Sequence, residues 1–131
     1  MRSLLLPASI LATSFAAALA QPAALGGKWR VVSVSGAEAL DASRTSAEFA
    51  GDRFATTVGC NRISGRAEIS GSRLAFGPMA ATRMACPPPL DAVERQYLSA
   101  LQAVRAYRIQ GRTLVFLGAG GDSLVTLERE K

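Results

Sequence analysis

The stretch Thr57 to Gly65 reads TVGCNRISG. It places a cysteine between a glycine and an asparagine, in surroundings patterned like a β-hairpin. The chain has two cysteines, and the second lies 26 positions on, in TRMACPPP, Thr82 to Pro89. A redox pair usually shows C-x-x-C, which is absent. A thiol nucleophile usually works with a histidine, and there is none. A zinc site needs about four ligands, commonly cysteine and histidine. In an exported chain of this size the pair Cys60 and Cys86 therefore favours one structural disulfide, with a reactive thiol or a metal ligand as the alternatives. Such a bridge limits the unfolded chain by roughly 3–4 kcal/mol in the chain-entropy account. Gly59 permits close backbone approach, Asn61 suits a turn beside the bridge, and Pro87-Pro88-Pro89 stiffens the exit from Cys86.

Export is read from the first residues, MRSLLLPASILATSFAAALA. Arg2 supplies a positive start, Leu4 to Leu11 an apolar stretch, and Ala18-Leu19-Ala20 a small-residue cleavage site. The apolar part is short of the roughly 20 residues of a membrane span. We therefore expect a signal peptide over 1–20 and a single periplasmic or secreted domain over 21–131. Gln21, not cysteine, follows the site, so acylation at that point is not expected.

The whole chain carries 15 basic and 10 acidic residues, a formal charge of +5. The cations are scattered in ones and twos, without a basic run and with few aromatics, so a nucleic-acid surface is not expected. Weak contact with anionic lipid stays open. No cofactor is implied, and a monomer is expected.

Outward from the cysteines, hairpin patterns dominate. Lys28 to Gly36 reads as a strand, with Trp29, Val31 and Ser33 on one face and Val32 and Val34 on the other. Gln21 to Gly27 reads as a short flexible lead and Ala37 to Arg44 as a polar turn region. Two runs around Gly51-Asp52 form a hairpin anchored by Phe49 and Phe54, and two around Gly71-Ser72 form another, with Ile69 and Leu74 flanking the turn. Met79 to Met84 is extended or irregular. From Leu90 to Val104 the period changes: Val93, Tyr97, Leu98, Leu101 and Val104 make one helical face. Asp91 with Glu94 three later fits a capping box. Strand patterning then returns at Tyr107 and Ile109, at Leu114 and Phe116, and at Leu124 to Leu127. The glycine-rich Gly118 to Ser123 is a turn between strands, with no following helix to make it a phosphate loop. About seven short strands and one helix give an α+β class, with a curved antiparallel sheet packed on the helix.

These motifs together resemble a family. GCNRISG, then LAFGPMAATRMACP, then a helix with E-x-x-x-L-x-x-L, then YRIQGRTLVF are similar to the META domain, or HslJ-like, family, from about Leu25 to Glu128. The resemblance implies a small barrel-like antiparallel sheet around one helix and a bond between Cys60 and Cys86. It implies kinship with envelope proteins linked to heat response and novobiocin tolerance, and with a kinetoplastid virulence-associated protein. It supplies no established reaction. It marks Gly59, Asn61, Gly65, Thr82, Met84 and Pro87 as motif positions without an assigned role.

Three functions follow as expectations. The first is a non-enzymatic, stress-related envelope protein that binds a protein partner or an apolar ligand. The second is a secreted small-barrel protease inhibitor, for which Gln21 to Gly27 would be the arm. The third is an enzyme using groups such as Glu94 and Asp52, disfavoured because no two acids can be placed together from sequence and histidine is missing. Glu94 reads more simply as a helix-start residue. No catalytic, cofactor or metal residue is assigned.

Overall fold

Alternating apolar and polar side chains lay down the sheet of this protein, described here from a computed structural model covering residues 23–131 together with Ser3, Leu5 and Ser9. The expected signal segment lies outside the described residues but for those three positions, and its cleavage point after Ala20 lies outside them altogether. The strands are β1 (Gly27–Val34), β2 (Ser46–Ala50), β3 (Arg53–Thr57), β4 (Ile63–Ser70), β5 (Arg73–Phe76), β6 (Ala80–Ala81), β7 (Ala106–Gln110), β8 (Thr113–Leu117) and β9 (Ser123–Arg129). One helix, α1 (Leu90–Ala103), stands between β6 and β7.

All neighbours are antiparallel, in the order β3-β2-β1-β9-β8-β7-β5-β4, and β4 pairs back onto β3. The sheet is thus a closed barrel of eight staves, which leaves few free edges. β6 is not a ninth stave. Ala67 pairs with Phe76 and Ser64 with Ala80 along the same side of β4, so β5 and β6 are one strand broken by a bulge at Gly77–Met79. The stretch Met79 to Met84, read as extended or irregular, thus contains the continuation of a stave at Ala80–Ala81. The count is eight rather than about seven, and with one helix against a full barrel the α+β class fits only loosely.

Closure is uneven. β5 meets β7 at a single register pair, Arg73 with Ala106, supported by Leu74 N–H to the Arg105 carbonyl (3.2 Å) and Tyr107 N–H to the Ser72 carbonyl (3.0 Å). That junction is a seam.

The barrel interior holds Trp29, Val31, Leu74, Leu114 and Leu127, all fully buried, and four phenylalanine rings. Phe49, Phe54, Phe76 and Phe116 lie 4.7–6.4 Å apart, centroid to centroid, in tilted, stacked and edge-to-face pairs. Val34 also points inward and Ser33 outward, the reverse of simple alternation. The reason is a register shift between Val31 and Ser33 against β9, which turns the face over. Thr45 serves this region: its hydroxyl accepts from Val31 N–H at 2.8 Å, just beyond the last β1–β2 register pair.

The helix buries Val93, Tyr97 and Leu101 of the expected face, with Val104 buried at its C-cap; Leu98 is only half-buried, and Ala100, outside that face, is buried. It packs against β1, β5 and β9, and Tyr97 reaches Thr56 on β3, so it touches strands around the ring and covers the interior. The capping box is not formed. Pro89 occupies the cap position without a side-chain bond, Asp91 lies in the first turn with its carboxylate on Ala92 N–H, and Glu94 turns elsewhere. The bridged segment ending in Pro89 sets where the helix starts, and that leaves Asp91 two positions past the cap.

The lead is docked rather than flexible over its described part. Ala23–Leu25 makes a 3-10 turn with Leu25 fully buried. Trp29 Nε1–H donates to the Leu25 carbonyl (3.0 Å), while the Arg129 guanidinium stacks 4.2 Å from the Trp29 ring and donates to the carbonyls of Ala24 and Gly26.

Candidate functional site

The motif positions converge on Asn61, a buried polar side chain in the β3–β4 loop. Its Oδ1 accepts from Met84 N–H (2.8 Å) and from the Thr82 hydroxyl (2.9 Å). Its Nδ2 donates to Glu94 Oε2 (2.8 Å), with longer contacts to the Met84 carbonyl (3.4 Å) and Cys86 Sγ (3.2 Å). Its own backbone N–H donates to Glu94 Oε1 at 3.0 Å. The carboxamide thus stands where a peptide group of β4 would stand, and it lengthens the β4–β6 ladder by one step. Thr82 adds its hydroxyl to Arg62 N–H (3.0 Å) and its backbone N–H to the Arg62 carbonyl (3.0 Å).

Each remaining motif residue has a place around this hub. Cys60 and Cys86 are bonded, with Cα atoms 6.0 Å apart. Gly59 has φ +119°, a conformation side chains resist, with Leu90 and Arg44 packed where a Cβ would project. Gly65 faces the β5–β6 bulge: a Cβ there would come within 2.9 Å of the Pro78 carbonyl and 2.6 Å of Met79 Sδ. The Pro87 carbonyl accepts from Leu90 N–H and starts the helix. Met84 offers its backbone to Asn61 and leaves its side chain 57% exposed.

Glu94 is the partner that sequence reasoning misplaced. Its spacing from Asp91 suggested a local role, whereas its partner lies 33 residues away. The one usable signal was its position on the helical turn just after the bridged prolines. Asp52 is engaged separately, in an exposed pair with Arg66 at 3.2 Å. Ligand atoms of Cys60, Cys86 and Glu94 lie within 4.8 Å of one another. Bonded to each other, the two sulfurs have given up the thiolate form that binds metal, so the trio does not form a metal site in this state.

A second polar chain crosses the interior. Thr56 Oγ1 donates to the Ser46 carbonyl (2.8 Å), so the Tyr97 hydroxyl must be the donor in the 2.6 Å bond to Thr56. Burial pushes the Tyr97 phenol above its ordinary value of 10.0, against a smaller opposing effect of Thr56. On the outside, a shallow cavity of about 570 Å³ lies beside the seam, lined by Ile69, Arg73, Ala75, Arg105 and Ala119 among others. Another of about 520 Å³ lies over Lys28, Ser46, Glu48, Ala55 and Arg62. The Gly118–Ser123 turn joins β8 to β9 with no helix following it, as expected.

With this geometry in view, the comparison with known proteins is direct. The profile of the META domain matches residues 20–131. The chain belongs to the META domain family. Among solved structures, this META domain is similar to a protein from Burkholderia xenovorans determined by NMR. That likeness is 23% identical with a TM-score of 0.67, over 82% of this chain and 85% of that one. It is also similar to a DUF4847 family protein from Bacteroides vulgatus, 14% identical with a TM-score of 0.63, over 82% and 94% of the two chains. Both likenesses carry the fold alone. No curated protein matches this chain.

Proposed function

We propose that this META domain protein is exported to the cell envelope, where it acts without catalysis by binding a protein partner or an apolar ligand, in a stress-related role. The observation that supports the reading is the direction in which the motif residues point their polar groups. Asn61, Thr82 and Glu94 are engaged with one another and with backbone, and together with the Cys60–Cys86 bridge they hold a segment whose outer side faces solvent. Such an arrangement presents a surface; it does not converge reactive groups on a substrate. The disulfide is in keeping with an oxidising compartment. No helix among the described residues is long and apolar enough to cross a membrane.

The inhibitor reading needs a free arm before β1. Ala23–Gly27 is instead tied down through Leu25, Trp29 and Arg129, which removes the described part of that arm.

Native mass spectrometry of protein purified from its own host tests the binding reading. The expected result is a population carrying lipid, peptide or protein mass. Repeated preparations of bare chain, from stressed and unstressed cells alike, would end it.

A further inference from the structure

From Ala80 to Pro89 every residue is exposed except the half-buried Cys86, yet this run is tied to β4 and its preceding loop by backbone bonds, by the Asn61 carboxamide and by the disulfide. Its hydrogen bonds alternate. Ala80 pairs with Ser64, Thr82 N–H donates to the Arg62 carbonyl, and the Met84 backbone meets the Asn61 carboxamide. In that alternation the N–H and C=O groups of Ala81 and Arg83 are turned the other way, and they have no partner among the described residues. In a barrel that pairs its other staves, this is an open edge. Pro78 in the bulge and Pro87 after the bridge bound it at both ends. The open length is Ala81 to Ala85, about 17 Å at the rise of a strand.

An unpaired edge is a template for one more strand. Here Asn61 and the disulfide fix the template in advance, so an incoming strand need not order it. Two further features say what fits. Arg83 lies on the edge itself, is exposed, and makes no ion pair among the described residues. Met84 is the one large apolar side chain exposed between residues 23 and 131, and its unbranched thioether adapts to varied apolar partners.

We propose that the edge Ala81–Ala85 binds an extended segment of another polypeptide as an added strand, with an acidic residue facing Arg83 and an apolar residue on Met84. This rests on the binding reading above and names its surface and its occupant.

The test uses the mature chain with its bridge intact and, as probe, reduced and carboxymethylated lactalbumin, an acidic chain held permanently unfolded. Amide hydrogen exchange is followed by NMR with and without the probe. We expect the Ala81 and Arg83 amides to slow by about tenfold or more at saturation. Ala81→Pro deletes an edge N–H that makes no internal bond, and Arg83→Glu reverses the charge. Each is expected to weaken binding about tenfold, a loss of about 1.4 kcal/mol, while leaving Tm close to that of the parent. Undiminished binding by both variants, with protection appearing elsewhere, overturns the edge and leaves the broader binding reading standing. A parent chain that ignores the probe also overturns the edge, and the native mass spectra then judge the broader reading on their own.

Discussion

Asn61 shows how much one side chain can hold. A Glu carboxylate, a threonine hydroxyl and the backbone of Met84 all depend on its amide. Asn61→Ala would keep the backbone bond to Glu94 Oε1 but strand Glu94 Oε2, the Thr82 hydroxyl and the Met84 N–H, and a loss of about 3 kcal/mol is expected in urea unfolding. Asn61→Asp should fare no better at neutral pH, because a carboxylate cannot donate to Glu94 and repels it. Tyr97 gives a pH-dependent signature. Its phenol is raised above the ordinary 10.0 by burial, so the folded chain keeps a proton that the unfolded chain releases. Stability from this group is therefore complete below pH 10 and falls as pH rises above it, by at most about 1.4 kcal/mol per pH unit. Tyr97→Phe should lose about 1 kcal/mol at pH 7, where the Thr56 bond is missing, and show a flatter decline above pH 10. Denaturant titrations of both proteins from pH 7 to 11 check this.

Among the elements, the broken stave β5–β6 and its bridge carry the interest. Gly65 lies under the bulge, so Gly65→Ala must displace both the Pro78 carbonyl and the Met79 sulfur. A loss of about 1–3 kcal/mol is expected, together with faster exchange at Thr82 N–H, whose bond lies on the far side of the bulge. Removing the bridge with Cys60→Ser should lower stability by roughly 3–4 kcal/mol and reduce the amount of folded protein recovered on expression. Thiol titration of the native protein should find no free sulfhydryl. The hairpins were legible in the sequence because alternation and the pairs Gly51-Asp52 and Gly71-Ser72 act within a few residues. The β1 bulge was not. Nothing local distinguishes Ser33 from an inward position, and the register shift is set by pairing with β9, at the far end of the chain. The capping box failed for a related reason: the bridged prolines start the helix at Leu90, so Asp91 is past the cap, and Glu94 bonds Asn61 from across the fold.

At the scale of the whole molecule, the barrel is closed but not uniformly. β7 pairs with β8 over its full length and with β5 only at Ala106, and Tyr107 N–H reaches Ser72 while Ile109 has no such partner. Native-state hydrogen exchange should therefore find Ile109 the least protected amide of β7. Leu74 and Tyr107 should open together at a free energy below global unfolding. Uniform protection across β7 would show that the seam is as firm as the other joints.

By itself the sequence determined the local pieces: hairpins from two-residue turns, a helix from three-and-four spacing, and a family likeness from GCN and TRMACP. Interactions within a few positions of one another dictate such features, so their chemistry is written in consecutive letters. Only the tertiary structure decided that the strands close into eight staves, that β6 continues β5, and that Asn61 and Glu94 meet across 33 residues. These depend on registers between distant strands, which are fixed by the packing of the whole interior and not by any segment alone.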